Sequence, residues 1–488
     1  MILGALSRWN PYAGTPIDVT FTVTPHAAPE QHPVSFLQRD HLTSARTSAA
    51  RSSAARSNAA RPAEPYRAYI GGLTRIDHPL DTTTLASAIS DFIATHENTR
   101  TWFDYTDNNF TRLVASTSDV AIDIKRGDNT DGPQLIKYVE DRLSTECEPW
   151  SPPCCAFGAI DHGDHFTLYY AADHAITDGI SHGLAINEIA QRYLAHTTNS
   201  TFTYPVELAQ PHSTFTQREY DAATNFAGDT AAQQQWADLF AAGGWRIPRF
   251  PLNLGLDPGE TAPVRIVENH LLTSADADAF EHVCAAHDTR PSGAIFAALA
   301  LAEHELAGNT TYFGLTVLST RAPENALSQG WFCNFVPVTF PVPQTPNLAF
   351  THLLQPAQQA FNTAKTLAGT PVHAAISTFV AAGKLAPPTQ TPQMVNYLDT
   401  RRVPGSNTSP HDNALIFTGE GRTANANMWV VRTNQGLFLN SQTPNTPYAQ
   451  EVLATYFQHI KTIFTAVAHN GDYVSAGRAP AQIMHHPQ

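Results

Sequence analysis

Two series of apolar strands and amphipathic helices, separated by a polar stretch rich in Pro, Gln, Thr and Asn from about Thr197 to Pro263, restrict this 488-residue chain to a two-part architecture. In the first series AYIGGLTRIDHPL reads as a strand. A helix follows from Asp81, with Leu85, Ile89, Phe92, Ile93 and His96 at helical spacing. A hairpin-like region around RLVAS and VAIDIK leads to a second helix carrying Leu135, Ile136, Val139 and Leu143. The strands CAFGAI and FTLYYAA are joined by the polar turn DHGDH, and the second runs straight into DHAITDG, after which Ile180, Leu184, Ile189 and Tyr193 mark a helix.

The second series opens on the strand VRIVENHLL. Helices around Asp276 to His287 and Ser292 to Leu306 come next, then the strands TYFGLTVLST and GWFCNFVPVTF. A helix near Leu348 to Leu367, strands near Met394 to Leu398 and Leu415 to Phe417, and a helix from Tyr448 to Ala466 end it. Strand and helix alternate without a βαβ period, so the expected class is α/β with mixed sheets, in two halves of similar size. The expected segments are 1–43, packed on the core; 44–63, a flexible Ala/Ser/Arg-rich insertion; 64–200, the first domain; 201–263, the crossover; and 264–488, the second domain. The insertion repeats S-x-A-A-R, carries Arg46, Arg51, Arg56 and Arg61, and offers no large apolar residue for a buried face, so it reads as a solvated loop or fraying helix, with a basic arm for an acidic carrier protein or a phosphorylated cofactor as the sharper alternative.

Hydrophobic residues make up 42% of the chain and charged residues 15%, against about 25% charged in ordinary globular proteins, which excludes wholesale disorder. The formal charge of -14 repels phosphate backbones, so no nucleic-acid partner is expected. No apolar run approaches the roughly 20 residues that span a bilayer. MILGALSRW lacks the basic start and small-residue cleavage site of an export signal. Cys147, Cys154, Cys155, Cys284 and Cys333 form neither a disulfide framework nor a zinc pattern; Cys154 and Cys155 read as packing residues. A cytoplasmic protein follows, with the inner face of the plasma membrane as a peripheral site.

Only DHAITDG has the residues for chemistry in a fitting context, the end of an apolar strand just before a helix. A neutral imidazole at His174 can take a proton from a hydroxyl or amine as it attacks a carbonyl, since its ordinary pKa of about 6.5 lies near working pH. Asp178 either orients that ring or locks the loop. Gly179 permits the sharp turn into the helix, whose N–H groups face developing negative charge. Asp161, His162, Asp164 and His165 in DHGDH read as a solvated turn, and no metal is expected there.

DHAITDG resembles the HHxxxDG signature of the condensation-domain and chloramphenicol-acetyltransferase-like acyltransferases. HENTRTWF, with His96, Glu97, Arg100 and Phe103, is similar to the HE-x-LR-x-x-F pattern of condensation domains, and TRAPENALSQGWFCNFVPV to their R…G-x-F-x-N-x-x-P segment. Trp9 to Pro11, the segment around Phe250 to Gly255, and NYLDTRRVPG look most like the polyketide-associated acyltransferases of actinobacterial glycolipid pathways. The plant-type DFGWG segment is missing, and Asp173 replaces the first motif histidine, a carboxylate expected to raise the pKa of His174.

The resemblance implies two chloramphenicol-acetyltransferase-like domains in a V with a tunnel between them, His174 as general base, and Asp178, Gly179 and Arg321 as structural residues at the site, with an Asp178–Arg321 ion pair. It implies substrate or tunnel contacts at Asp173, Gly330, Phe332, Asn334 and Asn396. It also implies transfer of a long fatty or polyketide acyl group from a thioester, on coenzyme A or a polyketide-synthase carrier domain, to a hydroxyl of a sugar or glycolipid such as trehalose, with no cofactor beyond the thioester substrate. Its rivals are a stand-alone condensation enzyme forming an ester or amide on carrier-tethered substrates, and a catalytically silent member that recruits a partner.

Overall fold

The computed structural model describes residues 2–24, 28–57, 65–198, 200–388, 391–403, 406 and 408–476. The chain forms two compact units: Met1–Tyr220 with Arg321–Phe332 and Arg402–Gly421, and Asp221–Thr320 with Cys333–Arg401 and Arg422–Gln488. The first unit therefore takes two stretches from the half of the sequence expected to form the second domain.

The first unit contains, in chain order, β1 (Ile2–Gly4), β2 (Thr15–Val23), β3 (Glu30–Pro33), α1 (Phe36–Ser57), β4 (Tyr69–Ile76), α2 (Thr82–Thr95), β5 (Thr101–Thr106), β6 (Asn109–Val114), β7 (Val120–Arg126), α3 (Gly132–Glu146), β8 (Cys155–Asp161), β9 (Phe166–Asp173) and α4 (Gly179–Thr197). Its seven-stranded sheet runs β1, Leu415–Thr418, β4, β9, β8, β2, β7, while β3, β6 and β5 form a separate three-stranded sheet. The strand Leu415–Thr418 pairs parallel to β1 and antiparallel to β4. β9 is buried along its whole length, which is why FTLYYAA, broken only by Thr167, reads as a largely apolar run instead of an alternating one. β8 and β9 form the expected hairpin around DHGDH. The stretches RLVAS and VAIDIK do not pair with each other: β6 joins β5, and β7 joins β2. The half-buried Val120, Ile122 and Ile124 turn one face of β7 toward the core that β2 shares.

α2 starts at Asp81, whose carboxylate accepts the Thr84 N–H, and buries Leu85, Ile89, Phe92 and Ile93 as the spacing requires. α1 is a correction. Its first turns bury Leu37, Leu42 and Ala45, and Arg46 stacks on Tyr105 with 3.7 Å from the guanidinium carbon to the ring centroid. The helix continues to Ser57 because Ala and Arg are strong helix formers even without an apolar stripe. The side chains of Arg51 and Arg56, and residues 58–64 with Arg61, lie outside the described residues.

The stretch expected as a crossover is helical over His212–Gly228 and Thr230–Ala242. Its signals are the cap at Asp229, which accepts from Ala231 and Ala232, and the buried pair Trp236 and Phe240 four residues apart. The second unit has its own seven-stranded mixed sheet, in the order Cys333–Pro341, Thr311–Ser319, Met394–Asp399, Asn427–Thr433, Gly436–Pro444, Ala262–Thr273, Arg422–Thr423. Helices Ser274–Ala286, Pro291–Ala307, Phe350–Leu367 and Pro447–Asn470 contribute to its core. The hairpin of Asn427–Thr433 and Gly436–Pro444 was not among the expected strands. Among the described residues no helix is long and apolar enough to cross a membrane.

Candidate active site

β9 ends at Asp173, and the chain then makes one 3-10 turn, His174–Ile176, before α4 begins. Every carbonyl of this loop from Ala175 to Thr177 is held by a side chain. Gln38 Nε2 donates to the Ala175 oxygen at 2.7 Å, Asn98 Nδ2 to that of Ile176 at 3.1 Å, and His174 Nδ1 to that of Thr177 at 3.1 Å. A carbonyl can only accept, so Nδ1 carries the ring proton and Nε2 presents its lone pair. The Trp331 ring covers the imidazole, with centroids 4.2 Å apart. Burial, and then the nearby His41 ring, hold the His174 pKa below its ordinary value of 6.5. The adjacent carboxylate of Asp173 pulls upward, as expected, but burial outweighs it.

Asp178 is the N-cap of α4 and accepts the Ser181 N–H at 2.7 Å. Its carboxylate also accepts the Phe332 N–H at 3.0 Å and meets Arg321 Nη2 at 3.1 and 3.3 Å. Burial pushes the Asp178 carboxyl up, yet Arg321 and the two N–H donors win and hold it below the carboxylate range. Arg321 is anchored in turn: Nη1 donates to the carbonyls of Asn325 and Ser328 at 3.0 and 2.7 Å, and the guanidinium lies over Phe332 at 4.5 Å. Ser181 Oγ accepts from Arg321 at 2.5 Å and donates to the Gly330 carbonyl at 2.7 Å. The ion pair is therefore present, and of the two roles open to Asp178 the geometry gives it the locking of the loop.

Several other expectations change. Asp173 is fully buried and accepts from Ala175 N at 2.8 Å, His41 Nε2 at 3.0 Å and the Tyr66 hydroxyl, so it is tied into the protein and does not line a substrate channel. Gly330 is needed sterically: its φ is 158°, and a Cβ would lie 2.5 Å from His212 and 2.6 Å from Phe332. Phe332 is fully buried beneath Arg321. In the second unit Asn334 brackets a turn, donating to Ala368 and Thr370 and accepting from Phe335 and Val372. Packing and bracketing account for these three, and Asn396 sits half-buried on the strand Met394–Asp399 opposite Trp429. Gly179 has no positive φ, so the turn does not demand glycine; a Cβ there would meet nothing within 4 Å, and the glycine leaves open space at the start of α4.

HENTRTWF is structural: His96 Nε2 lies 2.9 Å from Glu188, Glu97 binds Arg112 at 2.7 Å, Arg100 donates to the Ile93 carbonyl at 3.1 Å, and Phe103 is buried. In DHGDH, His165 pairs with Asp164 at 2.6 Å and His162 stacks on it. Among the described residues no group of three or more His, Cys, Asp or Glu is placed to hold a metal. Cys154 and Cys155 are buried and donate to the carbonyls of Thr101 and Thr99. Residues that the motif reading passed over are His41, Tyr66 and Trp331. The one signal for the first two was Asp173 itself, since a carboxylate at the end of a buried strand requires donors.

Two further histidines brace this region. His182 Nε2 donates to the Tyr170 carbonyl (2.9 Å) and its Nδ1 accepts from Thr177 Oγ1 (3.2 Å), and His212 Nε2 stands 3.3 Å from the Trp331 carbonyl. Burial lowers them from 6.5 to about 4 and about 3. Their folded pKa values lie below the unfolded one, so the unfolded chain binds more protons in acid. Their contribution is complete above pH 6.5 and is lost as pH falls toward 4, by roughly 2–3 kcal/mol each at pH 4.5. Urea melts should show a lower midpoint at pH 4.5 than at pH 7, and His182→Gln should shrink the difference; equal midpoints would contradict this.

The His174 imidazole thus stands on a loop locked by the Asp178–Arg321 pair at the end of a buried strand, with its Nδ1 bound to the Thr177 carbonyl. The condensation-domain family model matches residues 70–378, and the chain belongs to that family. It is 26% identical to the acyltransferase PapA3 of Mycobacterium tuberculosis, covering 96% of this chain and 98% of that one. It is 27% identical to PapA1 of the same organism, a 2'-acyl-2-O-sulfo-trehalose (hydroxy)phthioceranyltransferase, covering 82% of this chain and 77% of the relative. The solved PapA2 acyl transferase shares the fold with a TM-score of 0.85 at 24% identity, covering 96% of this chain and all of that one (100%). The chain is thus an acyl-transferring member of its family.

Proposed function

We propose that this enzyme moves a long acyl group from a thioester, on coenzyme A or a polyketide-synthase carrier domain, to a hydroxyl of a sugar or glycolipid such as trehalose. The observation that carries the reading is the His174 ring, whose Nδ1–H is bound to the Thr177 carbonyl so that Nε2 is the basic atom. An acceptor hydroxyl attacks the thioester carbonyl as its proton passes to Nε2, and N–H donors near Gly179, ahead of the capped Ser181 N–H, stabilise the oxyanion. Collapse of the tetrahedral intermediate breaks the carbon–sulfur bond, and the imidazolium returns the proton to the departing thiolate. The acyl group goes directly from donor to acceptor. The sugar class is supported by the sulfo-trehalose substrate in the PapA1 name.

Incubation with palmitoyl-coenzyme A and a panel of trehalose, glycolipid and diol acceptors, followed by mass spectrometry, tests it. The expected product is an O-acylated sugar. Transfer only from a carrier-bound donor, and only to an amine, would replace this reading with a condensation enzyme; no transfer from any thioester would overturn it.

A further inference from the structure

Asp173 is a carboxylate with no exposed surface at the C-terminal end of a strand buried throughout, and three donors converge on it. Oδ1 accepts the Ala175 N–H at 2.8 Å, Oδ2 accepts the Tyr66 hydroxyl, and His41 Nε2 stands 3.0 Å from Oδ1 and 3.1 Å from Oδ2. The Ala175 contact fixes the 3-10 turn that begins with His174. The His41 ring has a second neighbour. It meets Trp331 edge-on, with centroids 5.9 Å apart at 89°, and Trp331 lies on the His174 ring. Two chains of contact therefore run from His41 to His174, one hydrogen-bonded through Asp173 and one packed through Trp331. His41 and His174 themselves have centroids 6.2 Å apart.

We propose that His41 and Asp173 form a positioning pair for His174, the carboxylate fixing the turn that carries the base and the His41 ring holding the tryptophan that covers it. This rests on His174 being the base. A carboxylate this deep is costly unless its donors are complete, so the pair is more than local packing: loss of His41 takes one of the three donors from the buried carboxylate, and loss of Asp173 leaves His41 Nε2 only the Tyr66 hydroxyl, 3.1 Å away.

The pair also sets the field at the base. The titratable groups facing His174 are His41 from α1, Asp173 from its own strand, Asp178 at the cap of α4 and His182 within α4, with Arg321 behind Asp178 and Tyr66 behind Asp173 and His41. Among them His41 opposes protonation of His174, while Asp173 and Asp178 favour it. His41→Gln keeps a donor for the carboxylate and removes the opposing ring, so the His174 titration should move upward. Adding Asp173→Asn to His41→Gln removes the favouring charge, and the titration should move back down.

The experiment follows the His174 Cε1–H resonance, identified by its loss in His174→Gln, across pH in the wild-type chain and both variants, alongside the pH profile of kcat/KM for transfer. Opposite displacements of the resonance, matched by the ascending limb of the profile, are the expected result. An unmoved His174 titration in folded His41→Gln overturns the positioning pair, whatever becomes of the double variant. Displaced resonances in a protein that transfers no acyl group would instead uphold the pair and remove the proposed function.

Discussion

His174→Ala should cost about two to four orders of magnitude in acyl transfer, while the protein melts close to the wild-type temperature. The kinetic part follows from the chemistry of an alcohol, which is a poor nucleophile until its proton has somewhere to go. Nε2 is the acceptor the loop presents, because Nδ1 is committed to the Thr177 carbonyl. The structural part follows from how little else the ring does. Its losses are one hydrogen bond, worth about 1 kcal/mol, and the contact with Trp331. The loop keeps its other ties, from Gln38, Asn98 and Asp173. Steady-state transfer from palmitoyl-coenzyme A to whichever acceptor of the panel is acylated, measured beside a thermal melt, checks both halves. A folded His174→Ala protein with near-normal kcat would remove the base assignment.

Asp178→Ala and Arg321→Ala should behave in the opposite manner, losing stability as well as turnover. Both side chains are buried, at 4% and 8% exposure, so solvent cannot substitute for the missing partner. Removing one half of such a pair typically costs about 3–5 kcal/mol, on the order of 10 °C in melting temperature for a unit of this size. The cost is compounded on each side. Without Asp178 the N–H groups of Ser181 and Phe332 lose their acceptor, and without Arg321 the carbonyls of Asn325 and Ser328 lose their donor. A double-mutant cycle on urea-melt midpoints should give a coupling of a few kcal/mol. Wild-type stability in Asp178→Ala with turnover alone lost would make Asp178 a partner of His174 in the chemistry.

The unit from β9 through α4 was legible because each part carried its own local signal: a largely apolar run, a short polar loop, then helical periodicity from Ile180 to Tyr193. The partner of Asp178 came from motif resemblance, since no local rule links positions 143 residues apart. His41 and Tyr66 were invisible for the same reason, lying 132 and 107 residues from the carboxylate they serve. α1 is half legible on different grounds, its repeat reading as either a solvated loop or a fraying helix. A repeat of five residues drifts around the helix and makes no stripe, so the amphipathic signal was absent although the helix propensity was high. The glycines show the converse error: Gly179 was assigned a backbone role that its φ does not require, while Gly330, read as a substrate contact, is the one with no room for a side chain.

The strand Leu415–Thr418 sits inside the first unit's sheet, between β1 and β4, and Thr74 Oγ1 reaches the Pro410 carbonyl across 336 residues of sequence. On the ribosome, β4 thus emerges long before its neighbour exists. At ordinary rates of synthesis the wait is on the order of tens of seconds, during which the unpaired edges of β1 and β4 are open templates for other chains. Arg321 and the Phe332 N–H arrive late as well, so the loop bearing His174 is unlocked throughout that interval. Competence is therefore deferred: a nascent chain can hold the entire DHAITDG motif and still lack the site, which is completed only as the last third of the polypeptide is made.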